Sequence, residues 1–318
     1  MRKRTVEAPP ASARLAAVRI LDRLPPVLGA SLSCIFGGSA AVATRYVIGE
    51  SDATTLAFLR HAGCGLILAA IAWATLGRRF RIARADILPV VGLALLQFAI
   101  YGWLFIAALA YAPAARVSLI MTTMPLVTLG FSAWAGRERV TAAKLLAGLI
   151  ALAGVAVTLG DRSVAVGPEV WKGDALIGTA VIVGAVYATL SGRYLQRNPS
   201  LAVAAISILI GAAALVPVLA LQGGLAGIAS ISTGGWVAVL WLMGPAGVLP
   251  FYLWIWALEH ASPARVVIAI ALNPIAAAVL GALVVSEPIS TSLLIGLVCV
   301  VAGISLAQWP ARREPARP

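Results

Sequence analysis

Charge is what this chain has least of. Only 11% of its 318 residues are Asp, Glu, Lys or Arg, against about 25% in an ordinary soluble domain, and the shortage excludes a soluble globular protein. Histidine is scarcer still. His61 and His260 are the only two, and neither has carboxylate or cysteine companions at metal-ligand spacing, so no metal site is read. No GxxxxGK[ST] loop is present, which removes nucleotide hydrolysis as a source of work. Ser191 and Ser286 lie near charged residues without the base and orienting acid that a nucleophile needs. The chain is therefore read as a non-enzyme with no cofactor. The three cysteines, Cys34, Cys64 and Cys299, all fall inside apolar runs and form no disulfide or CxxC pattern. The twelve acidic residues fall in connections, tails or span ends. A carboxylate at the bilayer midplane would mark proton coupling or a cation site, and no such residue is read here.

Apolar residues fill the space that charge leaves: 61% of the chain is hydrophobic and the mean hydropathy is +0.97. In windows of about 20 residues, the length that crosses a ~30 Å hydrocarbon core, ten spans stand out. Their limits are 27–48, 54–77, 87–110, 114–134, 142–160, 174–194, 201–221, 235–257, 264–285 and 290–308. No period-2 alternation of barrel strands appears, so the spans are helices. The net charge of +12 is a matter of topology rather than of nucleic acid. With a cytoplasmic N-terminus and ten spans, 19 of the 24 basic residues fall inside, as the positive-inside rule requires. That places both termini in the cytoplasm and the chain in the cell inner (plasma) membrane as a multi-pass protein. The basic arm before the first span is read as retained and not as a cleaved signal.

A repeat runs through these spans. The stretch from Leu104 to Val117 (LFIAALAYAPAARV) returns 149 residues later from Leu253 to Val266 (LWIWALEHASPARV), with 8 of 14 positions identical. The same offset pairs Pro125 with Pro274 and Glu138 with Glu287, and an offset of 148 pairs Arg45-Tyr46 with Arg193-Tyr194. Five spans per unit is an odd number, so the second copy enters the membrane upside down, as in many secondary transporters. The expected architecture is all-α integral membrane, ten transmembrane helices as two inverted five-helix repeats. Its parts are a basic cytoplasmic arm (1–26), the first repeat (27–160), a periplasmic linker (161–173), the second repeat (174–308) and a cytoplasmic tail (309–318).

Several short motifs carry a resemblance. The five-plus-five repeat, Leu59-Arg60 opening the second span, the Ala-x-x-Ala-x-x-Ala-Arg-Val boundary before span four, Pro125, Glu138, Pro274 and Glu287 resemble the EamA-type drug/metabolite transporters over about residues 27 to 308. Phe36-Gly37-Gly38 departs from the Trp-Gly common in that family. The resemblance implies a secondary transporter, with export favoured, moving a small metabolite, amino acid-like solute or amphipathic compound by alternating access. A carrier of an anionic nucleotide-sugar or phosphate ester is the alternative, and a non-transporting membrane scaffold or sensor is a further one. The partners expected are a small-molecule substrate and membrane lipid, with a homodimer left open and no nucleic acid.

Candidate pathway residues follow from repeat position and polarity. Asn273 is the one asparagine inside a span and comes first, with Pro274 beside it and Thr122, Thr123 and Pro125 in the matching half. A proline within a span frees a backbone carbonyl that a neighbouring hydroxyl, amide or substrate can satisfy. Gln97, Tyr101 and Trp103 in span three, Tyr252 in span eight, and Ser39 with its repeat partner Tyr187 complete the set. Arg60, Arg116 and Arg265 sit at span ends as gating or anion-attracting candidates, against a bland reading as interface anchors or caps on helix C-termini. Glu138 and Glu287 precede Thr141 and Ser290 and are read as acids favouring the N-termini of spans five and ten.

Overall fold

A computed structural model describes residues 25–134, 142–160, 168–195, 197–222, 225–260, 269 and 272–307. The first helix, α1 (Pro26–Val47), opens on proline, whose missing N–H costs nothing at a first turn. Asp52 caps the second, α2 (Ala53–Leu76), accepting from the Thr54 and Thr55 N–H groups at 2.9 Å each. The third span changes pitch twice: α3 (Ile87–Ala94), a π-helical stretch (Leu95–Tyr101), then α4 (Gly102–Tyr111). The fourth is broken at Thr122-Thr123 into α5 (Ala114–Met121) and α6 (Met124–Trp134). Pro125 thereby stands at a helix start, where it displaces no hydrogen bond. Then come α7 (Ala142–Gly160), α8 (Val170–Leu195), α9 (Ser200–Leu221) and a short α10 (Leu225–Ala229). Next, α11 (Thr233–Met243) and α12 (Pro245–His260) meet at Gly244, and α13 (Leu272–Val284) and α14 (Thr291–Ala307) end the described chain.

Among the described residues all regular structure is helical. Seven helical stretches are long and apolar enough to cross a bilayer, and three shorter apolar helices, Leu145–Gly160, Leu272–Val284 and Thr291–Gly303, cover the remaining predicted spans in part. Large apolar side chains such as Trp73, Leu88, Trp134 and Leu221 are exposed on the outside, the surface that a lipid environment requires. The chain is a multi-pass membrane protein. The inter-repeat linker is shorter than expected, because Val170 to Gly173 already belong to α8.

The principal packing partners join the first half of the chain to the second. α7 lies on α14, α2 on α9, α1 on α12 and α13, α4 and α6 on α8, and α5 on α13. Exchanging each helix for its repeat equivalent returns most of these pairs, as a two-fold arrangement of two similar units must. Glycine permits the closest approaches. A Cβ on Gly154 of α7 would stand 2.5 Å from the Cys299 Cβ and 2.8 Å from the Gly296 carbonyl of α14. Close backbone approach of this kind is how apolar helices gain packing energy where lipid offers no hydrophobic drive.

Polar residues gather at two ends. Arg45, the α4–α5 turn, the α7 C-terminus, Asp174 and Glu287 lie together at one, called the Glu287 face below. At the other, Asn198 donates to Asp86 at 2.9 Å and accepts from the Ala83 N–H at 2.8 Å, joining the start of span three to the α8–α9 turn.

Candidate functional site

A partly open cavity of about 210 Å³ lies where α1, α2, the π-helical stretch, α4, α5, α9, α12 and α13 converge. The wider turn of the π-helix brings Gln97, Phe98 and Tyr101 to one side, and all three line the cavity. Such insertions recur at functional positions because they re-aim side chains without ending a helix. From α2 come Arg60, His61 and Cys64, and from α13 comes Asn273. The Arg60 guanidinium lies 5.7 Å from the Phe105 ring centroid, a cation–π contact that partly offsets its desolvation. His61 is fixed to its own helix, with Nδ1 2.7 Å from the Ala57 carbonyl. Its ring is packed against Gly102, where a Cβ would stand 2.5 Å from Cε1.

Two buried oxygens in this site lack partners among the described residues, Gln97 Oε1 and Asn273 Oδ1. A buried polar atom left unpaired costs about 1–3 kcal/mol, so two at one cavity are a strong pointer to a ligand that donates hydrogen bonds. Among the described residues no carboxylate lines the cavity, and none pairs with Arg60. The wall thus offers one guanidinium, two amide acceptors and an apolar, aromatic remainder formed by Phe98, Phe105 and Phe251.

Four of the residues singled out in the sequence meet here: Asn273, Gln97, Tyr101 and Arg60. The Tyr101 hydroxyl reaches the Met121 sulfur at 3.2 Å. The others are placed elsewhere. Thr122 and Thr123 turn their hydroxyls back on Leu119 and Ile120 carbonyls at 2.6 and 2.7 Å, and so satisfy the break in span four themselves. Trp103 donates to the Thr54 hydroxyl at 3.0 Å. Pro125 is exposed, Pro274 is buried, and Tyr187 and Tyr252 are half-buried; none of them lines the cavity. Ser39 accepts from the Trp241 indole at 3.0 Å and borders a separate apolar groove between α1, α11 and α13. Arg265 and Glu138 lie outside the described residues.

Arg116 is fully engaged. It grips both carboxylate oxygens of Asp174, at 2.8 and 2.7 Å, and donates to the Thr158 and Leu159 carbonyls at 2.7 and 3.1 Å. Those carbonyls end α7, so the guanidinium is a helix C-cap and an ion pair at once. Glu287 works on a different helix from the one expected. Ser290 caps α14 by accepting from the Leu293 N–H at 3.1 Å, while Glu287 reaches across to the Ala114 N–H at 3.0 Å and to Arg45 Nε at 3.2 Å. Sequence reading missed this clasp, although the pairing of Arg45 with Arg193 and of Glu287 with Glu138 flagged both of its members.

The comparisons agree with this architecture. The EamA-like transporter family matches residues 24–160 and again 171–308. The chain belongs to that family, a class of membrane transporters built from two copies of one unit. Among its relatives is the uncharacterized transporter YyaM of Bacillus subtilis (strain 168), 22% identical over 280 residues, covering 87% of this chain and 92% of that protein. Another is the aromatic amino acid exporter YddG of Ancylobacter novellus, 27% identical over 216 residues, covering 67% of this chain and 73% of that one. A solved protein crystal structure superposes with a TM-score of 0.64 at 24% identity, covering 89% of this chain and 96% of that one; at that identity the likeness shows the fold alone.

Proposed function

We propose that this protein exports a small, amphipathic solute of the amino-acid type by alternating access. It sits in the cell inner membrane with ten spans in two inverted units and both termini in the cytoplasm. The observation that carries the reading is the chemistry of the cavity wall. A carboxylate suits the Arg60 guanidinium, where charge assistance strengthens the bond. An ammonium or amide N–H suits the unpaired Gln97 and Asn273 oxygens. An apolar or aromatic side chain suits Phe98, Phe105 and Phe251. The exporter named for aromatic amino acids among the relatives supports the same class. The energy source is a gradient, that of the solute or of a coupled ion.

A nucleotide-sugar or phosphate-ester carrier is the weaker reading. It calls for several cations at the site, and Arg116 is already held by Asp174 and two carbonyls, so among the described residues Arg60 is the one cation lining the cavity. A scaffold or sensor gives no reason to keep two such amide oxygens in the wall of one cavity.

The test is solute efflux from proteoliposomes holding the purified full chain, each loaded with one labelled amino acid, amine, monocarboxylate or phosphate ester. Saturable efflux of an apolar amino acid, with an apparent affinity about 10-fold weaker in Asn273→Ala, is the expected result. Efflux of phosphate esters alone would move the assignment to the second reading. No efflux of any solute from folded, reconstituted protein would end the transport proposal for these classes.

A further inference from the structure

The cavity and the Glu287 face are connected by the same four helices. On α1, Gly37 lines the cavity and Arg45 lies eight residues further on, about 12 Å at 1.5 Å per residue. On α4, Phe105 lines it and Ala110 lies five residues on, about 8 Å away by the same rise. On α5, Met121 lines it and Ala114 opens the helix; on α13, Asn273 lines it and Glu287 follows the C-terminus. At the far end of all four stands one polar cluster. Arg45 donates to the Leu109 and Ala110 carbonyls at 2.7 and 3.2 Å and to Glu287 at 3.2 Å. Glu287 in turn accepts from the N–H that opens α5.

Local features place the acid there. The chain turns at Ser286 with φ +56°, a left-handed conformation uncommon for serine. The Glu287 N–H returns to the Gly281 carbonyl at 3.1 Å. Gly281 also leaves room for the carboxylate: a Cβ there would stand 2.9 Å from Oε2. Between cluster and cavity lies a layer of small, fully packed residues, Ala40, Ala41, Ala108, Leu109, Val117 and Ala278, all at most 7% exposed. Beyond the cluster a polar crevice of about 370 Å³ opens, lined by Arg45, Tyr46 and Glu287 and sharing no residue with the cavity. Cluster and packed layer therefore separate two volumes.

We infer that the Arg45–Glu287 clasp is the gate that closes this face of the transport pathway, and that solute crosses the face only when the clasp is released. The inference rests on the transporter reading. The gate works by tying helix ends together: without Glu287 the α5 N-terminus and Arg45 each lose an acceptor, so α1, α5 and α13 are free to part.

Cys64 supplies the readout, because it lines the cavity and is 4% exposed. In a full chain carrying Cys34→Ala and Cys299→Ala, its alkylation by a membrane-impermeant thiol reagent is timed in oriented proteoliposomes, with reagent at one face only. Glu287→Ala and Arg45→Ala should each speed labelling from the Glu287 face by about 10-fold, the ratio given by one charge-assisted hydrogen bond of ~1.4 kcal/mol. Labelling from the opposite face should not quicken. Gly281→Ala removes neither charge but crowds the carboxylate, and should act in the same direction if the first two variants misfold. Unchanged rates in folded variants, or equal gains at both faces, would overturn the gate. Solute efflux is recorded on the same vesicles. Efflux with unaltered labelling rejects the gate alone, whereas altered labelling without efflux rejects the transport reading and leaves a gated cavity.

Discussion

Arg116 of α5 and Asp174 of α8 form a two-pronged ion pair, 58 positions apart in the chain, with side chains only 6% and 19% exposed. The same guanidinium caps α7 through the Thr158 and Leu159 carbonyls. Removing one partner strands the other away from water, which costs about 3–5 kcal/mol. Arg116→Gln and Asp174→Asn should therefore lower the unfolding temperature of the purified protein by many degrees. Arg116→Lys should not rescue it, because an ammonium cannot reproduce the fork. Transport per folded molecule should fall far less than abundance does. A large loss of turnover with unchanged thermal stability would instead make Arg116 part of the pathway.

The two unpaired amide oxygens make a different prediction. Gln97→Ala and Asn273→Ala each remove an orphaned acceptor from the cavity, so they relieve a local cost in the empty protein and lose a contact in the loaded one. Apparent affinity for solute should weaken about 10-fold, one hydrogen bond to a charged group, while thermal stability holds or rises slightly. Flux kinetics and melting curves on the same preparations check both parts.

At Gly38, α1 comes close to the α13 backbone. A Cβ at this position would stand 2.5 Å from the Asn273 carbonyl and 2.9 Å from the Ala277 N–H, and backbone atoms cannot step aside as a flexible side chain can. Overpacking of this kind costs about 1–3 kcal/mol. Gly38→Ala should lower stability by that amount and slow transport more than Gly92→Ala, since Gly92 has open space around it.

Acid should tighten the Glu287 face. Burial lifts the Glu287 carboxyl above its ordinary value of 4.5, outweighing the backbone N–H of Ala114 and the Arg45 guanidinium, which pull it down. Arg45 faces it directly, and Arg116 borders a separate small pocket that Glu287 also lines. The closed clasp therefore holds a proton more tightly than a hydrated, open carboxyl does. Closure is favoured as pH falls toward 4.5, and that advantage is lost as pH rises through the raised value. Cys64 labelling from this face, expressed relative to Glu287→Gln at each pH to cancel the thiol's own titration, should fall on acidification. A flat ratio would remove Glu287 as the titrating group.

Much of the fold was legible because its signals are local or periodic. Window hydropathy found α1, α2, α7 and α9 to within a few residues, and the offset of 149 foretold which helices share an origin. The π-helical stretch was not legible, since Leu95 to Tyr101 carries no marker that separates a wide turn from an α-turn. Some residues of the candidate site stood out by type: Asn273 and Gln97 as amides in apolar helices, and Arg60 as a basic residue at a span end. Their convergence did not, because it depends on helix rotation. Thr122 and Thr123 do not line the cavity, and their hydroxyls serve their own backbone, as a hydroxyl beside a proline can do as readily as it serves a ligand. Glu287 misled: its nearest helix N-terminus in sequence belongs to α14, but its nearest in space belongs to α5, 173 positions away.

Asn273 has two neighbours on α1. Its carbonyl lies against Gly38, its amide group lies against Gly37, and its Oδ1 looks for a partner in the cavity. Under the proposed function, the residue that meets cargo is thus also part of the bearing surface between the two halves. A solute that draws the amide toward itself pushes or pulls on α1 through contacts with no slack, so occupancy is felt as force on the opposite unit without any relay. Selectivity and speed are then one property of this position, and a substitution that broadens the range of cargo will alter the turnover of all of it.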